Sequence, residues 1–199
     1  MMKRSILAFA IAAPLAGCIS IGEKPPAQLL NLSATAQVEP GKVFSTTPGE
    51  AITIAPPTVP QALANARIPV FSGGAAIAYV KGAQWVEPPS RLFQRLLSET
   101  VEARGGRAVL SVRQAAFTPA LRVSGELLIF GIDAQKHRAV VRYDAVISRK
   151  DAIETRRFEA SVPVSEVKPL PVAAALNVAA NKVAAEVSDW VVGGNTASH

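Results

Sequence analysis

Sulfur and imidazole are nearly missing from this chain. Its 199 residues hold one cysteine, Cys18, two histidines, His137 and His199, and two methionines, both at the start. Zinc clusters, disulfide frameworks and iron–sulfur sites each need several Cys or His ligands converging, so all three are excluded. There is no G-x-S-x-G turn and no glycine-rich phosphate-binding loop, and the two histidines are too few and too badly placed for a triad. His137 stands between Lys136 and Arg138 in a connection short enough for a hairpin, where a solvated turn residue fits better than a catalytic base. Glu126 and Asp144 lie in arginine-rich strands and suit strand-face ion pairs; a glycosidase pair would need two carboxyls facing one cleft. The expectation is a protein without catalytic residues. What is plentiful is apolar: 49% of the residues are hydrophobic and 18% charged. At this length that balance describes one domain of ordinary size and excludes long-range disorder or a polar coiled coil.

Lys3 and Arg4 precede an apolar run at 6–15, and Leu15-Ala16-Gly17-Cys18 follows at once. A run of that length is too short for a bilayer span, which takes roughly 20 residues, so the layout is a signal peptide. The last four residues resemble the bacterial lipobox, in which a small residue before the cysteine permits cleavage and the thiol accepts a diacylglycerol. The single cysteine of the chain stands at that place, and an exposed unpaired thiol would otherwise be a liability in an oxidising compartment. Residues 1–17 are therefore expected to be a lipoprotein signal peptide. Cys18 is expected to carry a covalent lipid, with no other cofactor and no metal. Ile19 and Ser20 provide no aspartate resembling an inner-membrane retention signal, which favours the periplasmic leaflet of the outer membrane. Residues 18–26 then form a tether containing Pro25-Pro26, and at up to roughly 3.5 Å per residue it reaches about 30 Å at most.

The mature domain is expected at 27–193, with a flexible tail at 194–199. Short apolar alternations at 29–32, 51–54 and 75–79 predict strands, and Ile68-Pro69-Val70 predicts an edge strand because its proline cannot donate to a ladder. Leu92, Phe93, Leu96, Leu97 and Val101 share one helical face, after Pro88-Pro89 and before Gly105-Gly106. Strands are then predicted at 108–113, 121–132, 138–148 and 153–162. A second helix follows, in which Val172, Leu176, Ala180, Val183, Val187 and Trp190 or Val191 recur at helical spacing. The implied fold class is a single α/β (α+β) domain, with two helices packed on one face of a mixed, largely antiparallel sheet.

Net charge is +6, and the basic surplus is concentrated between residues 91 and 157, where Arg and Lys outnumber Asp and Glu thirteen to seven. Eleven of the thirteen are arginine, whose planar fork suits phosphate and carboxylate. Nucleic acid is not available in the periplasm, which leaves lipid headgroups, cell-wall polymers, an acidic protein surface, or a merely solvated basic face. Arg156 and Arg157, adjacent at the start of a strand, are candidates for a partner interface. Trp85 either plugs a core or anchors an interface beside Tyr79, and its neighbours in sequence do not separate the two.

Several of these features together resemble the ABC-type transport auxiliary lipoprotein family, the PqiC-like, MCE-associated lipoproteins. They are the lipobox; Leu29 to Leu32; Ile77-Ala78-Tyr79 followed by Trp85 and Pro88-Pro89 into an L-x-x-x-L helix; the strands around Leu127 to Ile132 and Ala139 to Ile147; Phe158; and the Ala174-Ala175-Leu176-Asn177 helix ending in Trp190. Gln28 or Leu29 stands where the family usually has a tyrosine. The resemblance spans about residues 27 to 192. It implies a non-catalytic subunit docking a periplasmic lipid conduit at the outer membrane. Its partners would be an MCE-domain protein with its permease and ATPase, together with the outer membrane and the phospholipid itself. A lipoprotein that activates or scaffolds a cell-wall enzyme is the competing expectation, and a periplasmic hydrolase a third.

Overall fold

The computed structural model describes residues 28–47, 50–74, 76–111 and 121–193. Cys18, the tether and the tail at 194–199 lie outside the described residues. In chain order the elements are strands β1 (Ile52–Ile54), β2 (Arg67–Phe71) and β3 (Ile77–Gln84), helix α1 (Pro89–Gly105), strands β4 (Val109–Leu110), β5 (Leu121–Asp133), β6 (Arg138–Arg149) and β7 (Ile153–Pro163), and helix α2 (Pro169–Gly193). A short 3₁₀ turn, Gln61–Leu63, precedes β2.

Alternation, broken only by buried Val140, makes β6 the spine of the sheet. Ala139, Val141, Tyr143, Ala145 and Ile147 are buried beneath the helices, while Arg142, Asp144, Val146 and Ser148 are half-buried on the opposite face. Both long neighbours are antiparallel: β5 pairs along the whole of β6, from Leu121 opposite Arg149 to Asp133 opposite Arg138, and β7 pairs on the other side. The other edge of β5 is divided between two short parallel partners. β1 takes its beginning, with Ile52 opposite Leu121, and β2 takes its end, with Val70 opposite Ile132. Outside these, β4 adds in parallel to β1 and β3 adds antiparallel to β2. The sheet thus has seven strands and is mixed, with antiparallel pairing carrying most of its register. Gly125 is required where β5 meets β6: its φ is +152°, and a Cβ there would lie 2.0 Å from the Asp144 carbonyl oxygen.

Three expectations about strands need correction. Segment 68–70 is not at an edge, since β2 lies between β3 and β5 and the edge strand is β3. The proline is accommodated by a register shift between Arg67 and Pro69, a bulge at which the missing N–H interrupts no regular ladder. Segment 29–32 is not a strand of the sheet. It makes one bridge, Leu30 beside Trp85, and otherwise crosses the helices as an extended strap, with Leu30 and Leu32 buried and Asn31 and Ser33 exposed. The strand expected at 108–113 is only Val109–Leu110, and its last two residues lie outside the described set.

Prolines and glycines bound α1 as their backbone chemistry dictates. Pro89 occupies the first turn, where its missing N–H costs nothing, and Gly106, at φ +63°, closes the last turn with its N–H donating to Glu102 O. The apolar stripe of α1 meets the sheet through Phe93, which stands edge-on to Tyr143 with ring centres 5.1 Å apart. Small residues on α2, Ala175, Ala179, Ala180 and Ala184, are buried and allow close approach to its neighbours. Arg104 and Asp189 join the last turns of the two helices at 2.6 Å.

Candidate functional site

The sequence-derived candidates do not assemble into one site. Trp85 is fully buried and packs edge-on against Phe130, with ring centres 5.7 Å apart. It is therefore removed as an interface residue: its position at the end of β3 turns the indole under the helices, into the core. Tyr79 is half-buried on β3, with the Arg67 guanidinium 3.8 Å above its ring. Arg156 and Arg157 are both exposed, but they sit inside β7 rather than at its start, and consecutive strand residues point to opposite faces. Arg156 lies over the Phe158 ring at 4.9 Å, on the helix side. Arg157 lies on the outer face and grips Asp144 with both arms, Nε to Oδ1 and Nη2 to Oδ2, each at 2.6 Å. The two arginines cannot act as one patch. Trp190 is partly buried, its ring 5.5 Å from that of Phe158.

Much of the basic surplus is neutralised within the fold. Besides Arg157 with Asp144, there are pairs of Arg142 with Glu159, Arg149 with Glu154, Arg95 with Glu87 and Arg104 with Asp189. Arg138 donates to the Ser161 hydroxyl and carbonyl at 2.9 Å each. On the outer face a hollow of about 120 Å³ is floored by Phe71, Ile129 and Val140, and Lys136, Arg138 and Arg142 share its rim with Asp133 and Glu159. Hydrogen bonding from Arg157 holds the Asp144 carboxyl below its ordinary value, and the same bond raises Arg157. Burial pushes the Tyr143 phenol well up, and its hydroxyl donates to Ser124 O at 2.8 Å, a core role. His137 occupies the β5–β6 turn at φ +51°. Among the described residues no three or more His, Cys, Asp or Glu gather as metal ligands, and no helix is long and apolar enough to cross a membrane.

The strap over the helices is the feature that sequence reasoning missed. Ser33 N–H donates to Asn177 Oδ1 at 2.9 Å and Thr35 N–H to Asn181 Oδ1 at 2.7 Å, while Asn181 Nδ2 returns a bond to Ser33 O. Farther along, Val38 N–H reaches Glu99 Oε1 on α1 at 2.8 Å. The available signal is a pair of amides four residues apart within the apolar first half of α2, together with the alternation of Leu30 and Leu32.

From this strap to the last turns of α2, residues 31–188 match the family model of the ABC-type transport auxiliary lipoprotein component. The chain belongs to this family. The matched span covers the same unit that the fold delimits, with the strap at one end and α2 at the other. Among solved structures, this auxiliary lipoprotein is similar to protein XCC0632 from Xanthomonas campestris, a DUF330 family protein, with a TM-score of 0.69 at 18% identity. The match covers 86% of this chain and 100% of that one. A second structure, of a protein described as uncharacterized, matches with a TM-score of 0.64 at 8% identity, covering 82% and 99% of the two chains. At these identities the likeness is one of fold. None of the curated proteins is a significant match. As a family member the chain is an auxiliary component of an ABC-type transport system and a membrane-associated lipoprotein.

Proposed function

We propose that this auxiliary lipoprotein is the outer-membrane-anchored periplasmic subunit of an MCE-type ABC transport system for phospholipid. In this reading it docks the periplasmic lipid conduit at the outer membrane and catalyses nothing itself. The observation that carries the reading is the family match over 31–188, joined to a lipobox whose Cys18 is the only cysteine of the chain. Cys18 bears the acyl chains. Two or more chains hold a protein at a membrane nearly permanently, where one holds it weakly. Ile19 and Ser20 direct the lipoprotein outward, and the short tether holds the domain near the inner leaflet of the outer membrane. Energy comes from the partner ATPase, and an MCE-domain protein and permease complete the system.

The test is affinity purification of the tagged full-length chain from native membranes after mild cross-linking. Recovery of an MCE-domain protein with its permease and ATPase is the expected outcome. Recovery of a peptidoglycan synthase in their place sinks the reading and favours a cell-wall scaffold.

A further inference from the structure

Exposed apolar side chains on this domain are unevenly placed. Among the described residues eight large hydrophobics are exposed, and five of them, Leu29, Val86, Val167, Leu170 and Val178, at 42% to 59% exposure, lie on the strap, next to it or at the start of α2. Val86 is joined to the strap by its N–H, which donates to Leu30 O at 2.9 Å. Leu170, Ala174 and Val178 are all exposed and recur every fourth residue, so they form one stripe along the first half of α2, with Val167 one turn earlier. The strap runs beside this stripe in the same direction as α2, because Ser33 is held by Asn177 and Thr35 by Asn181. Two extended residues advance roughly 6.6 Å and four helical residues roughly 6.0 Å, so strap and helix keep pace. Four residues before Ser33, Leu29 therefore lies level with the start of α2, at Leu170.

We infer that this stripe is the face that the domain lays on the lipid surface of the membrane in which it is anchored. The inference rests on the lipid anchor at Cys18 proposed above. Two observations select lipid as the occupant. First, the described chain begins at Gln28, beside the stripe, and the nine residues between Cys18 and Gln28 span about 30 Å at most, so this part of the domain is held close to the bilayer. Second, no carboxylate occurs between Val167 and Ala185, while Lys168 and exposed Lys182 flank the apolar residues. Apolar side chains on such a stripe enter the acyl boundary while a flanking lysine such as Lys182 reaches the anionic headgroups.

The test uses the full-length lipidated protein in vesicles of phosphatidylethanolamine and phosphatidylglycerol, with single substitutions Leu170→Cys, Val178→Cys and Ile153→Cys carrying an environment-sensitive fluorophore. Acylation occupies the Cys18 sulfur, so only the introduced thiol is labelled. Ile153 is exposed at the far end of β7 and serves as the control. Blue-shifted emission and quenching by doxyl-labelled lipid at 170 and 178, with neither at 153, is the expected result. Floated protein in which all three labels stay equally wet overturns the inference. So does a blue shift at 170 and 178 that grows with protein density and is insensitive to doxyl lipid, since it assigns the stripe to a second copy. Protein that fails to float with the vesicles instead removes the anchor, and thus fails the functional proposal on which this inference stands.

Discussion

Trp85 and Arg157 illustrate opposite fates for residues that looked alike as interface candidates. The Trp85 indole is enclosed beside Phe130, and its Nε1 is buried without a hydrogen-bond partner. Trp85→Ala should cost about 3–5 kcal/mol of stability through the cavity it leaves, and Trp85→Phe distinctly less, because no satisfied hydrogen bond is lost. Urea unfolding followed by circular dichroism checks both. Arg157 is solvent-exposed and acts on one neighbour. The Asp144 pKa is lowered in the folded protein, so the stability it contributes is present above its unfolded pKa and is lost as pH falls through the folded value. Solvent screens an exposed pair, which makes that contribution small. In Arg157→Gln the Asp144 carboxyl should titrate at an ordinary carboxylate value with the melting temperature at neutral pH almost unchanged. Carbon-detected NMR titration of the carboxyl decides it, and an unmoved midpoint would show that Arg157 is not the cause.

At the scale of elements, the informative contrast is between the strands that pair locally and those that pair at a distance. The β5–β6–β7 meander follows from alternation and short connections, and its register runs nearly uninterrupted. The strap has no backbone partner along most of its length and depends on side chains of α2, more than a hundred residues away in sequence. Each such hydrogen bond contributes about 1 kcal/mol net. Asn181→Ala removes the acceptor for Thr35 and the donor to Ser33. It should lower stability by about 1–2 kcal/mol and speed hydrogen exchange at the Ser33 and Thr35 amides, leaving β5 and β6 amides protected. Unchanged exchange at those two amides would mean that the packing of Leu30 and Leu32 alone holds the strap.

At the scale of the whole molecule, the functional proposal joins a lipid anchor and a short tether to the single α/β domain. Everything in the functional proposal passes through Cys18. Cys18→Ala should abolish incorporation of labelled fatty acid and release the domain as soluble protein, or leave the uncut precursor in the inner membrane. Membrane fractionation separates these outcomes from normal outer-membrane retention, which would refute the anchor.

Periodicity and chain chemistry were enough to place both helices, the long strands and the single-layer packing, because burial of one face imposes a period of 3.6 or 2 on the residues themselves. The lipobox is read from contiguous residues that lie outside the described ones, and it enters the functional proposal as a sequence reading. What the residues could not disclose locally was which strand lies beside which. Pro69 looked like the mark of an edge, yet a bulge lets β2 lie inside the sheet. Trp85 is balanced between core and surface by its sequence neighbours alone, and Phe130 together with the strap at Leu30 settles it as core. Arg156 and Arg157 are neighbours in sequence and strangers in space, because the pleat sends them to opposite faces. The strap, and the apolar stripe running beside it on α2, exist only once Asn177 and Asn181 meet Ser33 and Thr35. Contacts between distant segments are set by the closure of the whole core, and that is the information only the tertiary structure holds.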